Sequence, residues 1–301
     1  MSGRMLFTRA LSPIHTGTGQ TTGVIDLPVA RERVTNWPYL PGSTIKGVLR
    51  DACDPNLQYD DSTKNHPFFR AFGPETDHAS DFGGALAICD GHLLCFPVRS
   101  FHGTFAWLTC PLALARWQDD AQAVGINLQL PQGLVSQPQE ALVAQKSVLH
   151  GGGQTIYLEE FDVASKVPAG DPVGQLARLI GQAVFPAGAW RTRFEERLAV
   201  LPDDLFTGLS ETATEITARI RLSDQSKTVD QGGLWYEEAV PSQAIFAGPV
   251  LIENRLARLA NGLIWPLIEN AINQPLQIGG HASVGRGLVF LQLWSGEEER
   301  A

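Results

Sequence analysis

Cysteine is scarce in this chain, with four residues among 301. Cys53, Cys89, Cys95 and Cys110 form no CxxC pair and have no histidine at zinc-finger spacing. A structural zinc site is therefore not expected. We interpret the four side chains as reduced thiols that mostly fill the core.

Long apolar runs are also missing. No stretch approaches the roughly 18 apolar residues of a membrane span, and residues 1–10 lack the apolar centre of a signal peptide. We therefore expect a cytoplasmic protein. The 44% of hydrophobic residues, with 30 Gly and 19 Pro, predict a globular chain that buries a sizeable core and has many turns.

Positively charged residues are also few. The chain has 23 Lys and Arg but 32 Asp and Glu, which gives a net charge of −9. Phosphate binding usually leaves a basic footprint, so the bulk charge favours a small-molecule enzyme. Basic side chains can nevertheless gather on one face, and only the field near the phosphates matters for binding. Composition alone therefore leaves open both a small-molecule enzyme and a nucleic-acid-binding protein.

Strand and helix patterns follow each other in mixed order, which indicates an α+β core. Residues 51–82 are polar and turn-rich and are typical of an insertion, and residues 223–233 are typical of a hairpin tip. We also predict strands at residues 4–11, at 84–110 with a turn at Asp90 and Gly91, at 156–163, at 213–222, at 234–241 and at the end of 278–293. Helices are predicted at residues 41–50, after 111, at 174–199 and at 256–272, and the last of these has a break near Pro266.

The first candidate binding segment is a loop that leads into a helix. Residues 15–28 contain three Gly and four Thr and expose backbone N–H groups. In the helix that follows, Ser43 is the predicted N-cap, and Ile45, Val48 and Leu49 are predicted to face inward. Lys46 and Arg50 then share another face, which with the helix N-terminus could cradle a phosphate. An ordinary capped amphipathic helix with solvated basic residues fits the same pattern.

The second candidate is the sequence GGHASVGRG at residues 279–287. Its glycines allow backbone N–H groups to approach phosphates closely, and Arg286 could hold a phosphate in a bidentate fork. The sequence is neither a Walker A loop nor a GxGxxG motif. A flexible turn before the last strand explains it equally well.

Together these segments resemble the RAMP superfamily of CRISPR proteins. The resemblance is strongest to the repeating backbone subunit of type III-B effector complexes, and next to its type III-A equivalent. Residues 118–150 and 166–200 contribute little to it. The matching text, in the order of the family, is HTGTGQTTGVIDLPVARE, WPYLPGSTIKGVLR, AICDGHLLCFPVRSFHGTFAWLTCP, ATEITARIRLSDQSKTV, GGLWYEEAVP and GGHASVGRG.

For the fold, the resemblance implies an RRM-like, ferredoxin-like palm in a single domain of residues 1–301. Residues 51–82 would form a fingers-like insertion, and residues 215–240 a thumb hairpin. Several copies would line up head to tail along a guide crRNA, beside other effector subunits. The protein would then cut the bound complementary target RNA at regular intervals.

The resemblance also implies site residues. Asp26 matches the catalytic aspartate of the family. An aspartate is ordinarily a poor general base at neutral pH, so we expect it to hold a divalent cation, Mg²⁺ or Mn²⁺. His15 is a candidate assistant or a histidine that shapes the turn, and Tyr236, Glu237 and Glu238 are secondary catalytic candidates. The expected RNA contacts are Ser43, Lys46, Arg50, Lys227, Thr228, Gly279, Gly280, Ser283, Gly285, Arg286 and Gly287.

Two other functions remain open at this point. One is a purely structural crRNA-binding subunit without catalysis, which would be favoured if the loop of Asp26 pointed away from the target strand. The other is a small-molecule enzyme, which only the acidic composition suggests.

Overall fold

The computed structural model describes residues 2–17, 19, 24–135, 137–223, 228–260 and 262–296. Within these residues, eleven strands form one mixed sheet and two further strands form a separate hairpin. No helix among them is long and apolar enough to cross a membrane. The α+β class predicted from the sequence is confirmed.

The strands are β1 (Ser2–Ala10), β2 (Leu86–Ile88), β3 (His92–Arg99), β4 (Phe105–Thr109), β5 (Glu140–Val143), β6 (Thr155–Leu158), β7 (Phe161–Lys166), β8 (Leu198–Val200), β9 (Glu215–Leu222), β10 (Val229–Ala239), β11 (Ile245–Ile252), β12 (Leu276–Gln277) and β13 (Leu288–Trp294). The helices are α1 (Gly42–Cys53), α2 (Pro67–Phe72), α3 (Pro111–Ala123), α4 (Pro172–Val184), α5 (Ala189–Arg197), α6 (Asp203–Thr212), α7 (Asn254–Ala257) and α8 (Ile264–Ala271).

The main sheet runs in the order β12-β13-β1-β11-β3-β4-β8-β5-β7-β6, and β2 also pairs with β11. Strand β1 lies between β13 and β11 in this sheet and is antiparallel to both. Its residues 5–10 are all buried, because helices cover both faces of the sheet. Met5 and Phe7 enter one hydrophobic cluster, and Leu6 and Ala10 enter the other.

Two hydrophobic clusters stabilise the layers. On one face, α1 packs on α8 and contributes Ile45 and Leu49, which confirms the inward face predicted for that helix. On the opposite face, α3 and α4 supply Trp117 and Leu176. Burying a side chain of this size stabilises the fold by about 1.5–3 kcal/mol. The loops that connect the strands at the ends of the sheet are available for a functional site.

The start of α1 differs from the prediction. The helix begins at Gly42, so Ser43 is already its second residue, is exposed and caps nothing. The backbone N–H of Gly42 instead donates to Asp90 Oδ1 at 2.7 Å. The predicted N-cap at Ser43 was wrong, because the carboxylate of Asp90 accepts the hydrogen bond at the start of the helix. Asp90 lies in the turn between β2 and β3 and is distant in sequence.

Three other boundaries also differ from the sequence predictions. Residues 156–163 form the hairpin β6–β7 instead of one strand, with Glu159 in the left-handed region at φ 48°. The helical stretch 174–199 is divided after Val184, and its last residues belong to β8. The break in 256–272 lies before Ile264, so Pro266 falls in the first turn of α8, where its missing N–H breaks no helical hydrogen bond.

The hairpin β9–β10 confirms the strands predicted for residues 213–222 and 234–241. Its register runs from Glu215 opposite Ala239 to Ile220 opposite Leu234, with a shift between Val229 and Leu234. The assignment of residues 51–82 as an insertion stays a prediction, although α2 lies within them.

Candidate active site

The loop between β1 and α1 is joined to the strand β10 by backbone pairing. Leu27 N–H donates to Tyr236 O at 3.1 Å, and Glu238 N–H donates back to Leu27 O at 3.0 Å. One residue earlier, Asp26 Oδ2 accepts from the backbone N–H of Tyr236 at 2.8 Å. Asp26 is therefore held against the hairpin strand instead of standing free in its loop. Tyr236 itself is 41% exposed.

Glu238 is an anchor of this junction. It is 3% exposed, and its Oε2 accepts from Val29 N–H at 3.0 Å. Its Oε1 accepts from Arg31 Nη2 at 2.6 Å and from Thr214 Oγ1 at 2.8 Å. Because both carboxylate oxygens are engaged with the loop and with the start of the hairpin, Glu238 has a structural role in this conformation.

Glu237 points to the other side of β10 and is also buried, at 4% exposure. Trp235 Nε1 donates to its Oε1 at 3.0 Å, and Arg219 Nε donates to its Oε2 at 3.0 Å. His281 Nδ1 lies 3.4 Å from the same Oε2. Burial alone raises the pKa of Glu237, but the hydrogen bonds from Trp235 and Arg219 and the charges of His281 and Arg219 lower that pKa below its ordinary value. The carboxylate stays ionised and links the hairpin to the glycine-rich loop.

His15 shapes the turn beside this group. It is 6% exposed, and its Nδ1 lies 2.7 Å from Glu238 O. Its carbonyl accepts from Gly280 N–H at 2.9 Å, and Gly279, at φ 82°, lies so close to that carbonyl that a Cβ would collide with it. The ring of His15 meets the ring of His281 edge-on, with centroids 4.9 Å apart. The buried His15 thus holds the glycine-rich loop against β10.

A cleft of about 540 Å³ opens at this place. Its lining residues are Asp26, Leu27, Arg221, Gly232, Leu234, Trp235, Glu237 and His281. The structure therefore places Asp26 and Glu237, one of the secondary candidates, in the lining of one cleft. Sequence analysis did not single out His281, although a titratable side chain inside a glycine-rich loop was a usable signal.

Arg286 does not lie on the surface of the glycine-rich loop. It is 8% exposed, its Nη2 donates to Thr217 Oγ1 at 3.0 Å, and its Nη1 lies 3.9 Å from Glu215 Oε2. The guanidinium braces the loop against β9, so its use as a phosphate fork stays a prediction. Gly279, Gly280, Ser283 and Gly285 are exposed, whereas Gly287 is buried and donates its N–H to Pro13 O at 2.8 Å.

The basic side chains of α1 are engaged with the protein itself. Lys46 Nζ donates to Leu86 O at 2.8 Å, and burial together with the charge of Arg50 lowers the pKa of Lys46. Arg50 Nη1 donates to the carbonyls of Phe72 and Gly73 at 3.2 and 3.1 Å. Both side chains are half-buried, and their contacts with RNA stay predictions.

The tip of the hairpin carries the remaining two predicted RNA contacts. Thr228 is exposed, beside the start of β10. Lys227 lies outside the described residues.

The donor set in the cleft suits only a weakly held cation. Within the described ranges, no group of three or more His, Cys, Asp or Glu side chains could hold a metal ion. Glu237 is already engaged by Arg219, which leaves Asp26 as the carboxylate for a cation. Mg²⁺ is often bound through one or two carboxylates and keeps several waters beside substrate phosphates, so these residues fit a largely hydrated ion.

Comparison with known proteins identifies the family. The model of the RAMP superfamily matches residues 8–289. A protein of Pyrococcus furiosus, the CRISPR system Cmr endoribonuclease Cmr4, is 34% identical over 284 residues, which cover 94% of this chain and 92% of that protein. The crystal structure of oligomeric Cmr4 from Pyrococcus furiosus superposes with a TM-score of 0.72 at 26% identity and 98% coverage of both chains.

A cryo-EM structure of the type III-B Cmr-beta complex bound to cognate target RNA also contains a chain with this fold. That chain superposes with a TM-score of 0.73 at 18% identity and 97% coverage of both chains. The family match spans most of the sequence, and the similarity to the Pyrococcus furiosus protein extends over nearly the whole length of both. The chain belongs to the RAMP superfamily of CRISPR proteins, and its relatives include the Cmr4 endoribonuclease of Pyrococcus furiosus.

Proposed function

We propose that this chain is a crRNA-binding backbone subunit of a type III-B effector complex that cuts bound complementary target RNA at regular intervals. The observation that carries the proposal is the position of Asp26, held by Tyr236 N–H on strand β10 of the hairpin and lining the cleft. The endoribonuclease name of the 34% identical relative supports it. Such a complex would act in the cytoplasm.

The hairpin β9–β10 has the properties that a thumb needs. Ile216, Ile220, Leu222 and Leu234 are each about half exposed, between 49% and 55%. Exposed aliphatic clusters of this kind mark interaction sites, and here they suit unstacked bases or a neighbouring copy of the chain. The mixed sheet would then serve as the RRM-like palm, and residues 51–82 as the fingers.

The main contribution of the protein to catalysis would be to position the target RNA for cleavage. In an A-form duplex the 2′-hydroxyl is not aligned with the adjacent phosphate, so a thumb that displaces one nucleotide creates the in-line geometry that cleavage needs. Residues of both hairpin strands line one cleft with Asp26, so the displaced step would lie beside the carboxylate. Arg221, in the same lining, would add positive charge near the phosphate.

Asp26 would hold a divalent cation, Mg²⁺ or Mn²⁺, through its carboxylate. When bound, such an ion stabilises negative charge that develops on the phosphate. The backbone contact from Tyr236 orients the carboxylate for this role. The ion itself would keep most of its waters, because the cleft offers few further ligands.

The guide RNA would lie along the exposed glycine-rich loop and α1. Gly279, Gly280 and Ser283 expose backbone on this loop, where N–H groups can approach phosphates. Lys46 and Arg286 supply charge behind that surface, and the net charge of −9 is no obstacle because binding depends on the local field. Pairing with the guide would select the target sequence.

A structural crRNA-binding subunit without catalysis is the second candidate. The observation that favours it is that Glu237 and Glu238 are both held by basic partners, so that Asp26 would act without a second carboxylate. Both candidates bind RNA, so binding alone does not separate them.

Cleavage of a long target separates the two candidates. The chain is assembled with the other effector subunits on a guide, and an end-labelled complementary RNA is added with Mg²⁺. The proposed function predicts a ladder of products with constant spacing. Tight binding of an intact target would instead support the structural subunit, and evenly distributed degradation would contradict guided cleavage.

A further inference from the structure

His281 is held in an unusual backbone conformation inside the cleft. Its φ of 65° lies in the left-handed region, which residues other than glycine rarely adopt. The carbonyl of His281 accepts from Val284 N–H at 3.1 Å and from Arg286 N–H at 3.3 Å, which fixes the turn. Backbone strain of this kind persists where the surrounding structure determines it, and it is frequent at functional sites.

Two buried groups orient the His281 ring. Glu237 Oε2 lies 3.4 Å from its Nδ1, and the ring of His15 packs edge-on against it. Because the carboxylate faces Nδ1, the other ring nitrogen, Nε2, is the one left for a substrate. The pair of His281 and Glu237 therefore has the arrangement of an oriented acid–base catalyst, in a cleft that Asp26 also lines.

We propose that His281 is the general acid of target cleavage and protonates the leaving oxygen of the scissile phosphate. This inference rests on the proposed function. The 2′-hydroxyl oxygen attacks phosphorus, its proton passes to solvent, and a 2′,3′-cyclic phosphate forms. The bond between phosphorus and the 5′-oxygen breaks, the oxygen keeps the electron pair, and it takes the proton from His281 Nε2. Solvent then reprotonates the imidazole.

Three charged groups of the hairpin surround His281. Glu237 on β10 faces its ring, Arg219 on β9 donates to the same carboxylate, and Arg221 on β9 lines the cleft. On its own loop, Arg286 donates to Thr217 and lies near Glu215.

The loop after β1 contributes two more titratable groups, Asp26 in the lining and His15 against the ring. Carboxylates are ordinarily ionised at neutral pH and have no proton to give, whereas histidine ordinarily titrates near neutrality. Because His15 is buried at 6% exposure, whereas the side chain of His281 is 28% exposed and lines the cleft, His281 is the histidine of this site that RNA can reach.

The first test is His281→Asn in the assembled complex. The asparagine amide can still donate to Glu237 in place of Nδ1–H, but it cannot transfer a proton. Cleavage should slow by about 10²–10⁴-fold, while binding of guide and target stays unchanged. His150→Gln, in the loop between β5 and β6, is the matched control and should leave both unchanged. A His281→Asn complex that cuts as fast as the wild type overturns the inference.

The decisive test replaces the 5′-oxygen at the cleavage site by sulfur, because a thiolate leaves without a proton. His281→Asn should cut this target at close to the wild-type rate, and Asp26→Asn should not. Equal impairment of His281→Asn on both targets contradicts the general-acid role. If the wild-type complex cuts neither target, the proposed function fails instead, so the two failures are distinguishable.

Discussion

The carboxylate of Asp26 is bound by the backbone N–H of Tyr236, with 2.8 Å between Oδ2 and N. This contact joins a loop near the start of the chain to a strand more than two hundred residues later. It places the carboxylate against strand β10, in the cleft that both strands of the hairpin line.

Glu238→Gln should destabilise the fold. The substitution leaves the mostly buried guanidinium of Arg31 without its anionic partner, at a cost of about 3 kcal/mol in the free energy of unfolding. Urea denaturation of the isolated chain measures the change. Glu160→Gln, at a position where the side chain is 88% exposed, is the control and should change the value by less than about 0.5 kcal/mol. Equal stability of the two variants would show that Glu238 does not anchor the loop.

Glu237 should contribute to the pH dependence of stability. Its pKa is lowered in the folded protein, so its contribution is present above the unfolded value near 4.5 and is lost as the pH falls through the folded value. Glu237→Gln should therefore be less stable than the wild type at about pH 7, and the difference should shrink towards about pH 3. Denaturation at a series of pH values tests this. A constant difference across the series contradicts the assigned role.

The strand pattern and the inward face of α1 could be predicted because they depend on local periodicity. The hairpin β9–β10 was predicted for the same reason, since alternation and turn residues specify it. The helix cap could not be predicted, because Asp90 reaches Gly42 only after the sheet has formed.

The resemblance pointed to Asp26, but it did not predict how the side chains around that residue are arranged. Asp26 and Glu237 line the cleft, but the carboxylate of Glu238 is taken up by the loop. The contact between His281 and Glu237 joins two segments 44 positions apart, and no local pattern reports such a distance. The buried position of Arg286 depends in the same way on where β9 lies.

Lys46→Ala and Arg286→Ala should each weaken RNA binding to a similar extent for all guide sequences. Each lost phosphate contact should lower the slope of log affinity against log salt by about 1. Arg50→Ala should have a smaller effect, because its guanidinium donates to three carbonyls of the protein, whereas Lys46 donates to one. Arg99→Ala is the control, since that side chain is 74% exposed and pairs with Glu159. An unchanged slope of log affinity against log salt in the double variant of Lys46 and Arg286 contradicts the assignment of these side chains as phosphate contacts.

Assembly should follow the length of the guide. Head-to-tail contacts between unlike faces do not close on themselves and permit open helical stacks. Light scattering should show a mass that grows as longer guides are supplied. A fixed dimer with every guide would argue against the backbone role.

The most direct measurement compares target binding and target cleavage by Asp26→Asn on one assembled preparation. Asparagine keeps the size and one acceptor oxygen, but it removes the charge that a divalent cation needs. Cleavage should fall about 10³-fold, binding should persist, and a chelator should reproduce the loss in the wild type until Mg²⁺ or Mn²⁺ is restored. Asp61→Asn, where the side chain is 97% exposed, should behave as the wild type. Normal cutting by Asp26→Asn would contradict the account.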